Sequence, residues 1–150
     1  MSDAAVKDAP QGTPEGAVKG GVVAYLCLEG AIKAGEFYKK AFKAELVHVN
    51  PPDDQGRTMH VHLLINGNSV MISDPYPEHG CGFVPPAGFS LMLPVADVDA
   101  WWSRAVDAGC TGNMPPQDMF WGDRYGQLKD PFGVTWAIVG PARAEDQPAA

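Results

Sequence analysis

The feature that most limits what this chain can fold into is an internal repeat. The segment 34–44 (AGEFYKKAFKA) carries apolar residues at 34, 37, 38, 41 and 42, the spacing of one helix face. Sixty-four residues further on, Val98, Trp101, Trp102, Ala105 and Val106 draw the same stripe, with Lys40 answered by Arg104 and Ala44 by Ala108. The offset extends beyond the helices: Val70, Ile72 and Ser73 correspond to Val134, Trp136 and Ala137. Self-similarity at a fixed distance means one supersecondary unit used twice.

The unit can be read from its surroundings. A strand-like run precedes each helix, at 21–28 and 88–95. Three more follow each helix, at 44–49, 58–65 and 69–74 in the first copy and at 111–114, 123–129 and 134–139 in the second. Asn66-Gly67 is a strong hairpin turn, and Pro131-Phe132-Gly133 takes its place in the second copy. Asp97 is an N-cap and Gly109 a C-cap for the second helix. The expected fold is therefore α+β, with paired βαβββ modules (about 20–76 and 88–140) in a domain spanning 20–140. Two amphipathic helices of this length must pack on one sheet face, which leaves the other face free to curl around a ligand. The segments 1–19 and 141–150 lack periodicity and are expected to be disordered tails.

Composition narrows the partners. A chain of 150 residues with a formal net charge of −7 is one domain with a surface that repels nucleic acid and anionic membrane. No apolar run is long enough to span a bilayer. Cys27, Cys81 and Cys110 form neither a disulfide framework nor a CxxC motif, which suits reduced thiols and a cytoplasmic location. No GxSxG, P-loop or GxGxxG motif is present.

His60 and His62 form the clearest polar constellation. On a strand their side chains share a face, leaving Met59, Val61, Leu63 and Ile65 for the core under the helices. Two readings stay open: imidazoles that hydrogen-bond ligand or water, or a pair that binds zinc, nickel or manganese with a third ligand from elsewhere. Arg124 maps by the repeat onto His60, and with Trp121 it is a candidate to line the same cup; the alternative is an Asp123–Arg124 ion pair fixing the loop. Trp101, Trp102 and Trp136 are expected in the core. The linker 74–81, with His79 and Cys81, is a candidate lid. Cys27, on the face of Tyr25, reads as a small hydrophobe or a reactive thiol.

Three stretches carry a family resemblance. Phe120-Trp121-Gly122-Asp123-Arg124-Tyr125-Gly126 followed by Asp130-Pro131-Phe132-Gly133 is the most specific. Tyr25-Leu26-Cys27-Leu28 running into Glu36-Phe37-Tyr38, and Met71-Ile72-Ser73-Asp74, are similar in kind. Together they resemble the vicinal oxygen chelate superfamily, in its PhnB-like glyoxalase/bleomycin-resistance branch. That resemblance implies a curled, mixed, mostly antiparallel sheet, a small-molecule ligand in its cup, and a homodimer whose subunits both contribute to the cup. It also implies, for the family's enzymes, one divalent metal held by His, Glu or Gln on the first and last strands of each module. Carried over residue by residue, those positions are Val23, Ser73, Ser90 and Ala137; neither Val23, Ser90 and Ala137 nor their neighbours Ala24, Phe89, Trp136 and Ile138 can ligate a metal in that way. The expectation is a small-molecule binding protein without the usual metal site, lined by Tyr25, His60, His62, Ser90, Trp121 and Arg124. The alternative is a metal-dependent glyoxalase-like lyase or isomerase using His60 and His62.

Overall fold

The structure, a computed structural model, describes residues 16–143. The first module runs β1 (Ala24–Cys27), α1 (Ala31–Phe42), β2 (Glu45–Val49), β3 (Val61–Ile65) and β4 (Asn68–Ser73). After a short 3₁₀ turn at Pro77–His79, the second runs β5 (Leu91–Pro94), α2 (Val98–Ala108), β6 (Thr111–Asp118), β7 (Asp123–Lys129) and β8 (Thr135–Pro141). Each module makes its own four-stranded sheet, in the order β1-β4-β3-β2 and β5-β8-β7-β6. In each, the first strand pairs parallel with the last and the remaining pairs are antiparallel. This is the α+β, mixed, mostly antiparallel architecture expected from the repeat.

The two helices start by different devices. α2 is capped locally, the Asp97 side chain accepting from Ala100 N at 3.1 Å. α1 begins after Gly30, at φ 91°, with no local cap. Its cap comes from the far end of β4: Asp74 Oδ1 accepts from Gly30 N (2.8 Å) and Ala31 N (3.2 Å), while Oδ2 accepts from Thr58 N (2.8 Å). One buried carboxylate thus satisfies three backbone donors from two segments distant in sequence.

Both helices and one face of each sheet share a single core, with Leu26, Leu63 and Ile72 from the first sheet and Leu93, Leu128, Trp136 and Ile138 from the second. Trp136 is fully buried, its ring centroid 4.4 Å from Phe42 of α1. Asp130 locks this junction by accepting from Tyr38 Oη (2.6 Å) and Trp136 Nε1 (2.9 Å). Burial, followed by the Asp130 charge, pushes the Tyr38 phenol well above its ordinary value. Because each sheet gives one face to this core, each keeps its other face outside it.

Several sequence expectations need correction. The described structure takes in residues assigned to the tails: β8 reaches Pro141, Arg143 pairs with Asp99 at 2.9 Å, and Lys19 N donates to Ser69 Oγ at 2.7 Å while its carbonyl accepts from Ser69 N at 2.8 Å. The remainder of those tails, 1–15 and 144–150, lies outside the described residues. β6 runs on to Asp118, because register shifts let the Pro115-Pro116 stretch stay on an edge strand. Trp101 and Trp102 are half-buried at the core margin: Trp102 fills the space where a Cβ on Gly112 would stand, and Trp101 lies under the cations of Lys43 and Arg104. Met59 is exposed. The repeat itself is not uniform in space. β1 and β5 lie 67 residues apart, while Leu63, paired with Val70, is matched by Leu128, paired with Trp136, at a separation of 65. Loops and bulges of unequal length between the strands cause this drift. Among the described residues no helix is long and apolar enough to cross a membrane.

Candidate functional site on the open face of the first sheet

Strand alternation sends Leu26, Val61, Leu63 and Ile72 into the core and turns Tyr25, His62 and Met71 to the opposite, open face. Register then lines up one residue from each strand: Tyr25 opposite Met71, Met71 opposite His62, and His62 opposite His48 on β2. His60, just before β3, adds a third imidazole. Its ring centroid is 6.3 Å from His48, 6.3 Å from His62 and 5.8 Å from Tyr25.

The hydrogen bonds fix which nitrogens are free. Tyr25 Oη lies 3.0 Å from the Met59 carbonyl and 3.0 Å from His60 Nδ1. The carbonyl can only accept, so the phenol proton goes to it and His60 Nδ1–H donates to the phenol oxygen. His60 Nε2 is then a bare lone pair. His48 Nε2 is 2.8 Å from the Asn50 side-chain oxygen, again an acceptor only, so the free nitrogen of His48 is Nδ1. His62 Nε2 is 2.7 Å from Ser69 Oγ, which already accepts the Lys19 backbone N–H at 2.7 Å.

The cluster resists protonation. Burial, then the neighbouring His48, lowers the His60 pKa; burial, then His60 and His48, lowers that of His62. Both imidazoles are therefore neutral at neutral pH. Burial also raises the Tyr25 phenol, which keeps its proton. The face presents neutral donors and acceptors beside the thioether of Met71.

A cleft of about 690 Å³ adjoins the Tyr25 end of this row, between the free edges of β1 and β5, bordered by Tyr25, Ser69 and Met92 and by the apolar Leu26, Leu93 and Trp136; the imidazoles lie outside its lining. Asn66, at the hairpin turn, ties the two sheets across it by donating to the Pro94 carbonyl at 2.8 Å. Its size suits a small organic molecule.

Of the six residues expected to line one cup, the first sheet brings together Tyr25, His60 and His62. Ser90 is exposed just before β5 on the other side of the cleft. Trp121 is exposed at the β6–β7 tip, where its Nε1 donates to Asp123 at 3.1 Å. Arg124 departs from expectation: it points to the helix side, bonding Asp99 of α2 at 2.7 and 3.0 Å and Asp118 at 3.2 Å. The proposed Asp123–Arg124 pair is replaced by these contacts. The cause is the drift in repeat separation, which makes Tyr125 the counterpart of His60 and Gln127 that of His62. The linker does not hang free. Arg57 grips Glu78 at 2.6 Å and Asp53 at 3.0 Å and stacks 4.4 Å over Tyr76, drawing the Glu78 carboxyl down to about 2. Cys27 is exposed, with its thiol pKa raised by burial first and then by nearby acids and Cys81.

His48 and Ser69 were not foreseen. The available signal was that β2 must run antiparallel to β3, which places some β2 residue beside His62, but the bulge between Leu46 and His48 hides which one. At the family's usual metal positions, Val23 precedes β1, and register pairs the Ala137 row with Met71 rather than Ser73. Among the described residues no three His, Cys, Asp or Glu side chains are placed to hold an ion as they stand.

Residues 30–138 match the sequence profile of the Glyoxalase/Bleomycin resistance protein/Dioxygenase superfamily. An uncharacterised protein of Mycobacterium bovis is 41% identical over 127 residues, covering 79% of this chain and 82% of that one. Among solved structures, TioX from Micromonospora sp. ML1 aligns with a TM-score of 0.64 at 25% identity, covering 83% of this chain and 100% of that one. Protein PA1353 from Pseudomonas aeruginosa aligns with a TM-score of 0.67 at 25% identity, covering 82% and 98%.

Proposed function

The chain belongs to the glyoxalase/bleomycin resistance protein/dioxygenase superfamily, and on that premise we propose that it is a cytoplasmic small-molecule binding protein of the PhnB-like branch, acting as a homodimer. The observation that carries this reading is the cleft beside a row of neutral hydrogen-bonding groups. The Tyr25 ring gives a flat contact surface at the cleft, and a ligand extending from it along the open face would meet His60 Nε2 and His48 Nδ1 as hydrogen-bond acceptors. Nothing at Val23, Ser90 or Ala137 supplies a metal ligand, so the ligand is held by these side chains and not by a metal at the family's usual positions. The PhnB-like assignment rests on the stretch Phe120–Gly126 followed by Asp130–Gly133.

Support for the dimer lies in the second sheet and its approaches, which leave Phe89, Met92, Phe120 and Trp121 exposed. So much exposed apolar surface suits a protein partner. Ser90 and Trp121 join the site only when a second copy brings its second sheet over the first.

The test is a melting-temperature screen against drugs and metabolites. A ligand that raises the melting temperature of the wild type, and does so far less in Tyr25→Phe and His60→Ala, supports the reading. Ligands whose effect survives both substitutions would place binding elsewhere. Light scattering in solution reads the dimer directly.

A further inference from the structure

We propose that His48, His60 and His62 form a three-imidazole site for a borderline divalent cation such as zinc, nickel or copper, on strands other than those the family resemblance points to. Two features of the structure support this site. The first is proximity: the His60 ring stands 6.3 Å from each of the other two. Two imidazoles on one tetrahedral zinc have ring centroids roughly 5 Å apart, so closing on an ion needs shifts of about an ångström. His48 is exposed and His60 half-buried, so both rings have room to rotate, while the buried His62 anchors the site.

The second is the outer shell. A histidine that binds metal through one nitrogen usually donates its other N–H to a fixed oxygen, which sets the tautomer and the ring's direction. Here His60 Nδ1–H is held by the Tyr25 phenol oxygen and His48 Nε2–H by the Asn50 side-chain oxygen. The nitrogen left on each is a lone pair. The hydroxyl of Ser69 lies 2.7 Å from His62 Nε2 and can accept that N–H in the same way, leaving Nδ1 as the third ligand.

Three protein nitrogens leave a fourth position for water or a ligand oxygen. Imidazole ligands suit zinc, copper and nickel better than magnesium or calcium. Gln127 and Met114 occupy the corresponding places of the second sheet, so the site exists once per chain.

The experiment uses untagged full-length protein titrated with Zn²⁺ and Cu²⁺ by calorimetry, with copper electron paramagnetic resonance on the loaded protein. The expected result is one equivalent per chain and an affinity that falls at least tenfold in both His48→Gln and His60→Gln. The copper spectrum should lose one nitrogen coupling in each. His48 is exposed, so its variant keeps the wild-type melting temperature and reports binding alone. Gln127→Ala serves as the control and leaves affinity unchanged. Absence of stoichiometric binding, or binding that survives both histidine variants, overturns the proposal. The metal assay and the ligand screen are independent, so one can fail while the other succeeds.

Discussion

The two modules share one backbone plan but not one chemistry. Across the open face of the first sheet, register aligns Tyr25, Met71, His62 and His48; across the second it aligns Met92, Ala137, Gln127 and Met114. The first row carries two imidazoles and a phenol, with a third imidazole from His60 beside it. The second row carries nothing that titrates. Their inner faces, by contrast, are alike, with Leu26, Leu63 and Ile72 in one and Leu93, Leu128 and Ile138 in the other. The core faces are constrained by packing and stay similar, while the open faces are released from it. Repetition of a fold therefore says little about repetition of a site.

The largest effect separating the halves is expected at Trp136. It crosses from the second sheet to Tyr38 and Phe42 of α1, whereas its register counterpart is the smaller Val70, which brings no ring to the junction. Trp136→Ala should cost about 3–5 kcal/mol and Val70→Ala about 1–2 kcal/mol, read by denaturant unfolding. Equal costs would mean that the cross-module contact contributes nothing extra. The helix caps come next. Asp74→Ala strands three backbone donors and should cost about 2–3 kcal/mol, while Asp97→Ala strands one and should cost about 1 kcal/mol.

The third prediction concerns acid. His60 and His62 have lowered pKa values when folded, so the folded state takes up protons less readily than the unfolded chain. Their contribution to stability is complete above the ordinary imidazole value of about 6.5 and is lost as pH falls through their lower folded values. Melting temperature should therefore decline from about pH 7 to pH 5, and His60→Gln should flatten part of that decline. An unchanged profile would remove His60 from the cluster's electrostatics. The smallest effect belongs to the second sheet: Met92→Ala, on an exposed side chain, should change stability by no more than about 0.5 kcal/mol.

Much of this comparison could be read from the sequence, and the failures have physical causes. Helical periodicity located both helices, and Asn66-Gly67 marked the β3–β4 hairpin, where Asn66 and Gly67 have positive φ of 53° and 80°. His60 and His62 were legible because alternation within one strand is local. Arg124 was misplaced because a single offset was carried across bulges and loops that the two modules do not share. A shift of one residue is enough to turn a side chain to the other face of a sheet. His48 was missed for the same reason from the other direction, since it meets His62 only through pairing between strands. Asp74 looked like a loop residue, and its capping of α1 depends on the chain returning 43 residues later.

The junction at Asp130 bears on how the chain acquires its structure. Tyr38 from the first module and Trp136 from the second bond the same carboxylate, and the rings of Tyr38, Phe42 and Trp136 form one packed group. A fragment ending before β5 would expose the apolar side of α1 to water and leave the Tyr38 hydroxyl without its acceptor. The two modules are therefore expected to unfold together in a single cooperative transition. Amide exchange in α1 and β8 should accordingly report one shared opening event.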